Sequence, residues 1–210
     1  MFTLYYVHDP MCSWCYGFAP VYDRLVASLP EELGLKRIVG GLAPDSDAPM
    51  PAETREYVQR QWRRIEEMIP GRKFNCDFWT QCRPRRSTYP ACRAVIAARA
   101  QGEGADLAMS RAIQSAYYDQ ARNPSDVDTL VELGGEIGLD GDRLAGAMAS
   151  EAVAEQLRQE LTYARELGVR GFPSLVLHDG NDHRLITINY LDHEPMLAEI
   201  RDGMRTLSAE

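Results

Sequence analysis

Two cysteines near the start of the chain, separated by two residues, carry the clearest chemical signal in the sequence. Cys12 and Cys15 follow a short apolar run, residues 2–7, that is typical of a buried strand, and they begin an amphipathic run typical of a helix. The first turn of a helix stabilises a thiolate through its unpaired N–H groups and its positive dipole end. Cysteine pKa values in such motifs fall from about 8.5 to roughly 3.5–7.5. We therefore expect Cys12 to be the exposed, attacking sulfur and Cys15, one turn deeper, to resolve a mixed disulfide.

A Cys-x-x-Cys pair can also be half of a zinc site, or simply two core cysteines. Zinc needs a second pair of Cys or His ligands at comparable spacing. The other cysteines do not repeat the spacing and have no histidine beside them; they are Cys76, Cys82 and Cys92. The sequence therefore favours redox chemistry and predicts no metal site. Cys76 and Cys82 could form a second disulfide that gates the first, although two reduced cysteines are the simpler expectation.

A second stretch, far along the chain, supports the redox interpretation. Residues 169–174 read Val-Arg-Gly-Phe-Pro-Ser and precede the apolar run Leu175–Leu177. This stretch resembles the loop of thioredoxin-like proteins that carries a cis-proline and packs against the Cys-x-x-Cys. Pro20, inside the first predicted helix, resembles the proline that bends the first helix of that fold, because proline removes one helical hydrogen bond. The resemblance implies that the Phe172–Pro173 bond is cis.

The run from Asp9 to Phe18, together with this loop, resembles the DsbA-like branch of the thioredoxin superfamily. The first run is particularly similar to a group of predicted bacterial protein-disulfide isomerases. The resemblance implies an α/β protein whose thioredoxin fold is interrupted by an inserted all-α helical domain. We place the thioredoxin-fold domain at residues 1–44 and 150–210 and the helical insertion at residues 45–149. The second predicted strand is Leu35–Val39; a loop rich in Gly and Pro follows it, and helical periodicity dominates after that. Near the other end of the chain, turn residues 179–182 between the apolar runs 175–178 and 184–188 predict a hairpin.

The resemblance also implies roles for the residues around the cysteines. Pro173 and the backbone beside it dock the substrate chain alongside the two sulfurs. Ser13 and Trp14, between the cysteines, tune the reduction potential, and together with Phe172 and Pro173 they are the expected substrate-binding residues. The chain departs here from the commonest DsbA pair, Pro-His, and it has Phe172 before the proline. Both departures weaken the expectation of a strong oxidant.

The overall composition restricts the partners and the compartment. The chain has 31 acidic and 23 basic residues, a net charge of −8 and a pI near 5.1, which argue against nucleic acid or an anionic membrane as a partner. No stretch approaches the roughly 20 apolar residues of a membrane span, and the first residues lack the features of a signal peptide. Five cysteines, an odd number, fit a reducing compartment. We therefore expect a cytoplasmic protein.

Three residues near the motif or in the helical region have both a functional and a structural interpretation. His8, at the end of the first strand, can tune the pKa of Cys12, but an exposed or hydrogen-bonded histidine is the commoner case. Asp9 can relay protons to Cys15, but the dipeptide Asp-Pro favours a simple turn. Cys92 lies in an apolar stripe and is typical of a core position.

A short basic cluster stands out in this acidic protein. Arg83, Arg85 and Arg86 lie within four residues of one another. They could meet an acidic partner or the carboxylates of glutathione. A solvated loop is the simpler expectation.

The sequence favours a thiol–disulfide oxidoreductase. Cys12 attacks a substrate disulfide and Cys15 releases the mixed disulfide, while the reverse sequence oxidises a dithiol. The expected partners are protein or peptide thiols and disulfides, with glutathione or a thioredoxin-type reductant as electron donor. Beyond the Cys12–Cys15 pair itself we expect no cofactor, with glutathione as a candidate co-substrate.

Two alternatives use the same fold differently. Kappa-class glutathione transferases and hydroxychromene-carboxylate isomerases share the implied architecture and use glutathione. They generally have Ser where this chain has Cys12 and lack the paired cysteine, so Cys15 argues against this alternative. The other alternative is a non-enzymatic redox-sensing module in which the state of the Cys12–Cys15 pair controls a protein partner.

Overall fold

A sheet formed by both ends of the chain and a set of helices between them make up the computed structural model, which describes residues 1–207. The elements are β1 (Thr3–His8), α1 (Ser13–Ala27), β2 (Gly34–Val39), α2 (Ala52–Met68), α3 (Phe78–Gln81), α4 (Tyr89–Arg99), α5 (Ala105–Tyr118), α6 (Val127–Glu136), α7 (Gly141–Met148), α8 (Glu151–Glu166), β3 (Ser174–His178), β4 (His183–Ile186) and α9 (Glu194–Leu207).

The sheet has four strands in the order β2-β1-β3-β4. Strand β1 pairs in parallel with β2 and antiparallel with β3, and β3 forms a hairpin with β4. The predicted first two strands and the predicted hairpin are confirmed. This topology places the end of β1, where the Cys-x-x-Cys begins, beside the start of β3, where the proline loop ends.

Both faces of β1 are buried, as its uninterrupted apolar run predicts. Because successive side chains point to opposite faces of a strand, Leu4 and Tyr6 pack with helices α1 and α9 on one side. Tyr5 and Val7 pack on the other side against Leu167, at the end of α8. The sheet is therefore the middle layer of three, and its central strand is held from both sides.

The inserted helices have a core of their own, built largely of aromatic rings. Trp62 of α2 lies at its centre, with ring centroids 4.9 Å from Phe74 and 4.7 Å from Trp79. Tyr16 of α1 joins the same core, with its ring 5.3 Å from Phe74 and 4.7 Å from Tyr118. The helical region and the first turn of α1 consequently share one hydrophobic cluster.

A second link between the helices and the sheet is ionic. Glu160 of α8 accepts a hydrogen bond from the backbone N–H of Val39 at 2.7 Å and pairs with Arg99 of α4. Arg37 of β2 pairs with Asp106 of α5 at 2.9 Å. These contacts fix three helices against the edge strand β2, whose end leads to the candidate site.

The α/β architecture, with helices inserted between β2 and β3, is confirmed. The domain boundaries at residues 44/45 and 149/150 stay a prediction. In the range 1–207 no helix combines the length and the apolar character needed to cross a membrane.

Candidate active site

The Cys-x-x-Cys occupies the junction between β1 and α1. Cys12 is the residue immediately before α1, and its N–H donates to the carbonyl of Asp9 at 3.0 Å. Its own carbonyl accepts the first helical hydrogen bond, from the N–H of Tyr16 at 3.0 Å. The backbone on both sides of Cys12 is therefore fixed before any substrate arrives.

The two sulfurs differ in access. Cys15 is fully buried, whereas Cys12 keeps 6% of its surface exposed. The expectation that Cys12 is exposed is wrong, because its Sγ lies 3.5 Å from the carbonyl oxygen of Phe172 and the inserted helices form a wall beside it. Burial raises the pKa of the Cys15 thiol well above its usual range, and the neighbouring Cys12 raises that pKa further.

The proline loop closes over the motif from the other end of the chain. The Phe172–Pro173 peptide bond is cis, as the resemblance implied. Pro173 is buried, and the half-buried ring of Phe172 lies against Gly40, directly after β2. A Cβ added to Gly40 would lie 1.9 Å from Cε1 of that ring, so this position accommodates only glycine unless the ring moves.

A cleft of about 190 Å³ leads to Cys12. Its lining residues come from the motif, from helices α2 and α5, from the proline loop and from the loops after β2 and before α4; they are Met11, Cys12, Ser13, Trp14, Leu42, Tyr57, Val58, Gln61, Trp62, Arg86, Tyr117, Tyr118 and Phe172. Most of this surface is aromatic or aliphatic, which is the usual character of a small-molecule site. Arg86 is the one charged side chain among these residues, all within the described range.

The two residues between the cysteines face this cleft. Trp14 donates from its indole Nε1 to Oε1 of Gln61 at 3.2 Å, and its ring centroid lies 5.0 Å from that of Tyr190. The guanidinium of Arg64 lies 5.8 Å from the Trp14 ring centroid. Ser13 is half-buried at the cleft wall. The structure thus brings all six sequence-predicted site residues together, and their roles stay predictions.

Asp9 has a larger structural part than the predicted turn. It is fully buried, and its carboxylate accepts hydrogen bonds from the N–H of Met11 at 2.8 Å and of Leu42 at 2.7 Å, and from the hydroxyl of Thr88 at 2.7 Å. The Cys92 thiol donates a longer bond of 3.6 Å to the same carboxylate. Burial raises the pKa of Asp9, and these donors oppose that rise.

His8 is also buried rather than exposed. Its ring stacks on Tyr6 with centroids 4.9 Å apart and an angle of 7° between the planes. Burial, together with the positive charge of Arg99, lowers the pKa of His8 to about 3. The histidine is therefore neutral at physiological pH. Of the two structural expectations, an exposed or a hydrogen-bonded side chain, the exposed one is wrong.

The remaining cysteines lie away from the cleft lining. Cys92 is fully buried, so its predicted core position is confirmed. Cys76 is exposed and Cys82 is half-buried; both are free thiols. The Cys82 thiol donates to the carbonyl of Ala121 at 3.0 Å.

The three arginines of the basic cluster separate in the structure. Arg85 pairs with Asp126 and donates to the carbonyl of Ser125 at 2.7 Å. Arg83 is exposed, whereas Arg86 is half-buried in the wall of the Cys12 cleft. The expectation of one solvated basic loop is therefore wrong for two of the three residues. Their sequence spacing could not show which of them faces the site.

The side chains that could bind a metal ion do not gather in one place. Across residues 1–207, His, Cys, Asp and Glu side chains form no group of three or more that could hold a metal ion.

Several known proteins are similar to this chain. The ClpXP adapter protein SpxH of Halalkalibacterium halodurans is 25% identical over 182 residues, which are 85% of this chain and 59% of that protein. The chain thus spans less than two thirds of the length of this curated relative. A candidate protein disulfide isomerase from Nitrosomonas europaea has a similar structure, with 27% identity, 98% of both chains covered and a TM-score of 0.84.

The cytosolic disulfide reductase DsbM from Pseudomonas aeruginosa is a further structural relative. It is 27% identical, covers 97% of this chain and 99% of its own, and has a TM-score of 0.76. Its structure is also known with GSH. The family model of the DSBA-like thioredoxin domain matches residues 3–191, and the chain therefore belongs to the DsbA-like family.

Proposed function

We propose that this protein is a thiol–disulfide oxidoreductase in which Cys12 exchanges with substrate and Cys15 resolves. One observation carries the proposal. The Cys12 sulfur lines a cleft next to the carbonyl of Phe172, with Cys15 fully buried one helical turn behind it. A substrate can reach one sulfur of this pair through the cleft, whereas the other sulfur is shielded. Such a dithiol suits disulfide exchange in two ordered steps.

The proposed reaction conserves atoms and electrons. Cys12 loses its proton, and the resulting thiolate attacks one sulfur of a substrate disulfide; the S–S bond breaks and the expelled thiolate takes up a proton to leave as the first thiol. The deprotonated Cys15 then attacks the Cys12 sulfur and releases the second thiol. Two electrons pass from the protein dithiol to the substrate, and the Cys12–Cys15 disulfide remains until a donor thiol reduces it.

The electrostatics support this order of attack. Burial and the adjacent Cys12 raise the pKa of Cys15, so Cys15 remains a thiol while Cys12 is free. Once Cys12 is bound in a mixed disulfide it carries no charge. The part of the pKa shift that comes from Cys12 is then lost, and Cys15 ionises more readily at the moment when it has to attack.

Similarity to the cytosolic disulfide reductase DsbM supports a small thiol as electron donor and a cytoplasmic location. DsbM has been observed with GSH, and we propose glutathione as the donor here. The reduction potential of the pair tests the direction of electron flow. A value near −270 mV, as in thioredoxin, indicates a reductant, and a value near −120 mV, as in DsbA, indicates an oxidant (both are approximate).

The decisive experiment traps the mixed disulfide. In a Cys76→Ser, Cys82→Ser background, the Cys15→Ala variant is incubated with glutathione disulfide and analysed by peptide mass mapping. We expect one glutathionyl group on Cys12, because the resolving sulfur is absent. The matched Cys12→Ala variant should gain none, and the protein with both cysteines should form the Cys12–Cys15 disulfide. An unmodified Cys12 in the Cys15→Ala variant would contradict the proposal.

The non-enzymatic alternative gains support from one finding, the similarity to a ClpXP adapter protein. An adapter that senses redox state through the same pair undergoes one round of oxidation and changes its affinity for a partner. Steady-state reduction of a disulfide by glutathione distinguishes the two. Many turnovers per protein support the oxidoreductase, whereas a single stoichiometric oxidation supports the sensor.

A further inference from the structure

The Cys12 cleft differs in charge from the rest of the molecule. The whole chain carries a net charge of −8. Among residues 1–207, the cleft lining includes no Asp or Glu and one charged residue, Arg86. A second cation, the exposed Arg64, lies over the ring of Trp14, one of the lining residues. The charge on the side chains that line the cleft is therefore positive, although the protein as a whole is acidic.

Arg86 lacks the carboxylate partner that several other half-buried arginines have. Arg37 pairs with Asp106, Arg85 with Asp126 and Arg99 with Glu160. The guanidinium of Arg86 makes no hydrogen bond or ion pair with any group of residues 1–207. Its positive charge acts on Tyr117, where it opposes the rise in pKa that burial causes. An unpaired guanidinium half-buried against aromatic rings can still bind an anion.

We propose that Arg86 binds a carboxylate of the substrate and that the enzyme consequently prefers small anionic disulfides. This inference rests on the proposed oxidoreductase function. A guanidinium presents two parallel N–H donors to a carboxylate, and a charged hydrogen bond of this kind is stronger where water is partly excluded. The cleft of about 190 Å³ is smaller than a typical ligand pocket. It suits one arm of a small disulfide, with the carboxylate on Arg86 and the sulfur at Cys12.

Three small disulfides of similar length but different charge test the inference. Dithiodipropionate is anionic, hydroxyethyl disulfide is neutral and cystamine is cationic. The reduced Cys76→Ser, Cys82→Ser protein is mixed with each, and the second-order rate of Cys12–Cys15 oxidation is measured by quenching and mass spectrometry. For Arg86→Gln we expect a loss of roughly 10- to 100-fold with dithiodipropionate. The rate with hydroxyethyl disulfide should remain within about twofold of its original value.

For each disulfide, the rate of a variant is divided by the rate of the unsubstituted protein. This ratio cancels the differences in reactivity among the thiols that the three disulfides release. Arg83→Gln is the matched control: it removes the same charge from an exposed position three residues away. It should leave all three rates within about twofold, since a solvated charge acts weakly at a distance. Arg86→Lys should retain part of the preference, because it keeps the charge but loses the paired donors.

The outcomes separate this inference from the proposed function. Equal losses with all three disulfides, or the same loss in Arg83→Gln, would overturn the role of Arg86 while leaving the oxidoreductase proposal intact. If none of the three disulfides oxidises the Cys12–Cys15 pair in the unsubstituted protein, the proposed function itself fails.

Discussion

The carboxylate of Asp9 joins segments that are far apart in the chain. Its donors belong to the turn before Cys12, to the loop after β2 and to the residue before α4; they are Met11, Leu42 and Thr88. A buried carboxylate is tolerated only where hydrogen bonds replace its lost hydration. Asp9 meets that condition, and in doing so it fixes the turn that carries the attacking sulfur.

Replacing Asp9 by Asn should destabilise the protein by about 1–3 kcal/mol. The amide NH₂ then faces at least one N–H or O–H donor, so one buried donor loses its acceptor. Denaturant unfolding at pH 7 measures the effect. Asp45→Asn is the matched control: Asp45 is exposed and pairs with Arg93, so its loss should cost less than about 1 kcal/mol. Equal effects of the two substitutions would contradict the role given to Asp9.

At the residue scale, the sequence predicted those features that are determined by residues adjacent in the chain. The spacing of Cys12 and Cys15 and their place before a helix indicated the reactive pair. The cis bond before Pro173 was predicted from the resemblance of its loop to that of thioredoxin-like proteins. The anchoring of Asp9 depends on Leu42 and Thr88, which are far from it in the chain, and the position of Arg86 in the cleft wall depends on how the inserted helices pack. No short sequence pattern encodes such contacts. For the same reason the sequence suggested an exposed Cys12, since the wall that covers it comes from the helical insertion.

At the scale of elements, the end of β2 and the proline loop touch through one glycine. Gly40 donates to the carbonyl of His8 at 2.7 Å, which extends the pairing of β1 and β2 by one residue. The Phe172 ring occupies the space that a Cβ of residue 40 would fill. The carbonyl of Phe172 in turn faces the sulfur of Cys12. Any displacement of the Phe172 ring is therefore expected to move the carbonyl group that lies next to Cys12.

Gly40→Ala should impair disulfide exchange while retaining the fold. The new methyl group forces the Phe172 ring away and shifts the carbonyl next to Cys12. Overpacking of this kind costs about 1–3 kcal/mol of stability. We expect at least about a tenfold slower trapping of glutathione by Cys12 in the Cys15→Ala background, since an ångström-scale displacement can cost on the order of 100-fold in rate.

Gly146→Ala is the control for this substitution. Gly146 lies in α7, and the position that its new methyl group would take has open space around it, with no neighbouring atom within 4 Å that would have to move. Alanine should therefore stabilise the helix by roughly 0.5–1 kcal/mol and leave the trapping rate unchanged. A Gly40→Ala protein that is folded and reacts at the original rate would show that the position of the Phe172 ring is not critical.

The elements themselves were more predictable than the way they assemble. Apolar runs predicted β1 and β2, and turn residues between apolar runs predicted the hairpin of β3 and β4. Periodicity predicted the helical character of the insertion. It did not show that Tyr16 and Met11, at the reactive motif, pack into the core of the inserted helices. Such packing depends on how two helical surfaces meet in space, which a one-dimensional pattern does not specify.

At the scale of the whole molecule, the buried His8 couples stability to pH. It lies at the end of the central strand with the positively charged Arg99, Arg111 and Arg37 nearby, and the negative charge of Asp106 only partly offsets them. Burial and these cations lower its pKa from 6.5 to about 3. Folding therefore prevents a protonation that the unfolded chain undergoes freely below pH 6.5.

The sign of the pH dependence follows from that difference. Between about pH 6.5 and 3 the unfolded state binds one more proton at His8 than the folded state does. This contribution to stability is therefore complete above pH 6.5 and declines as the pH falls toward 3. Each pH unit below the pKa of His8 in the unfolded chain lowers the free energy of unfolding by roughly 1.36 kcal/mol. One and a half units below that pKa, the loss is about 2 kcal/mol.

His8→Phe removes the titrating group and keeps a ring that can stack on Tyr6. We expect the stability of this variant to fall by about 2 kcal/mol less between pH 7 and 5 than that of the unsubstituted protein. Denaturant unfolding at the two pH values measures the difference, and the comparison cancels the opposite contribution of Asp9, whose pKa is raised. Identical slopes for His8→Phe and the unsubstituted protein would mean that His8 protonates as easily in the folded state as in the unfolded one.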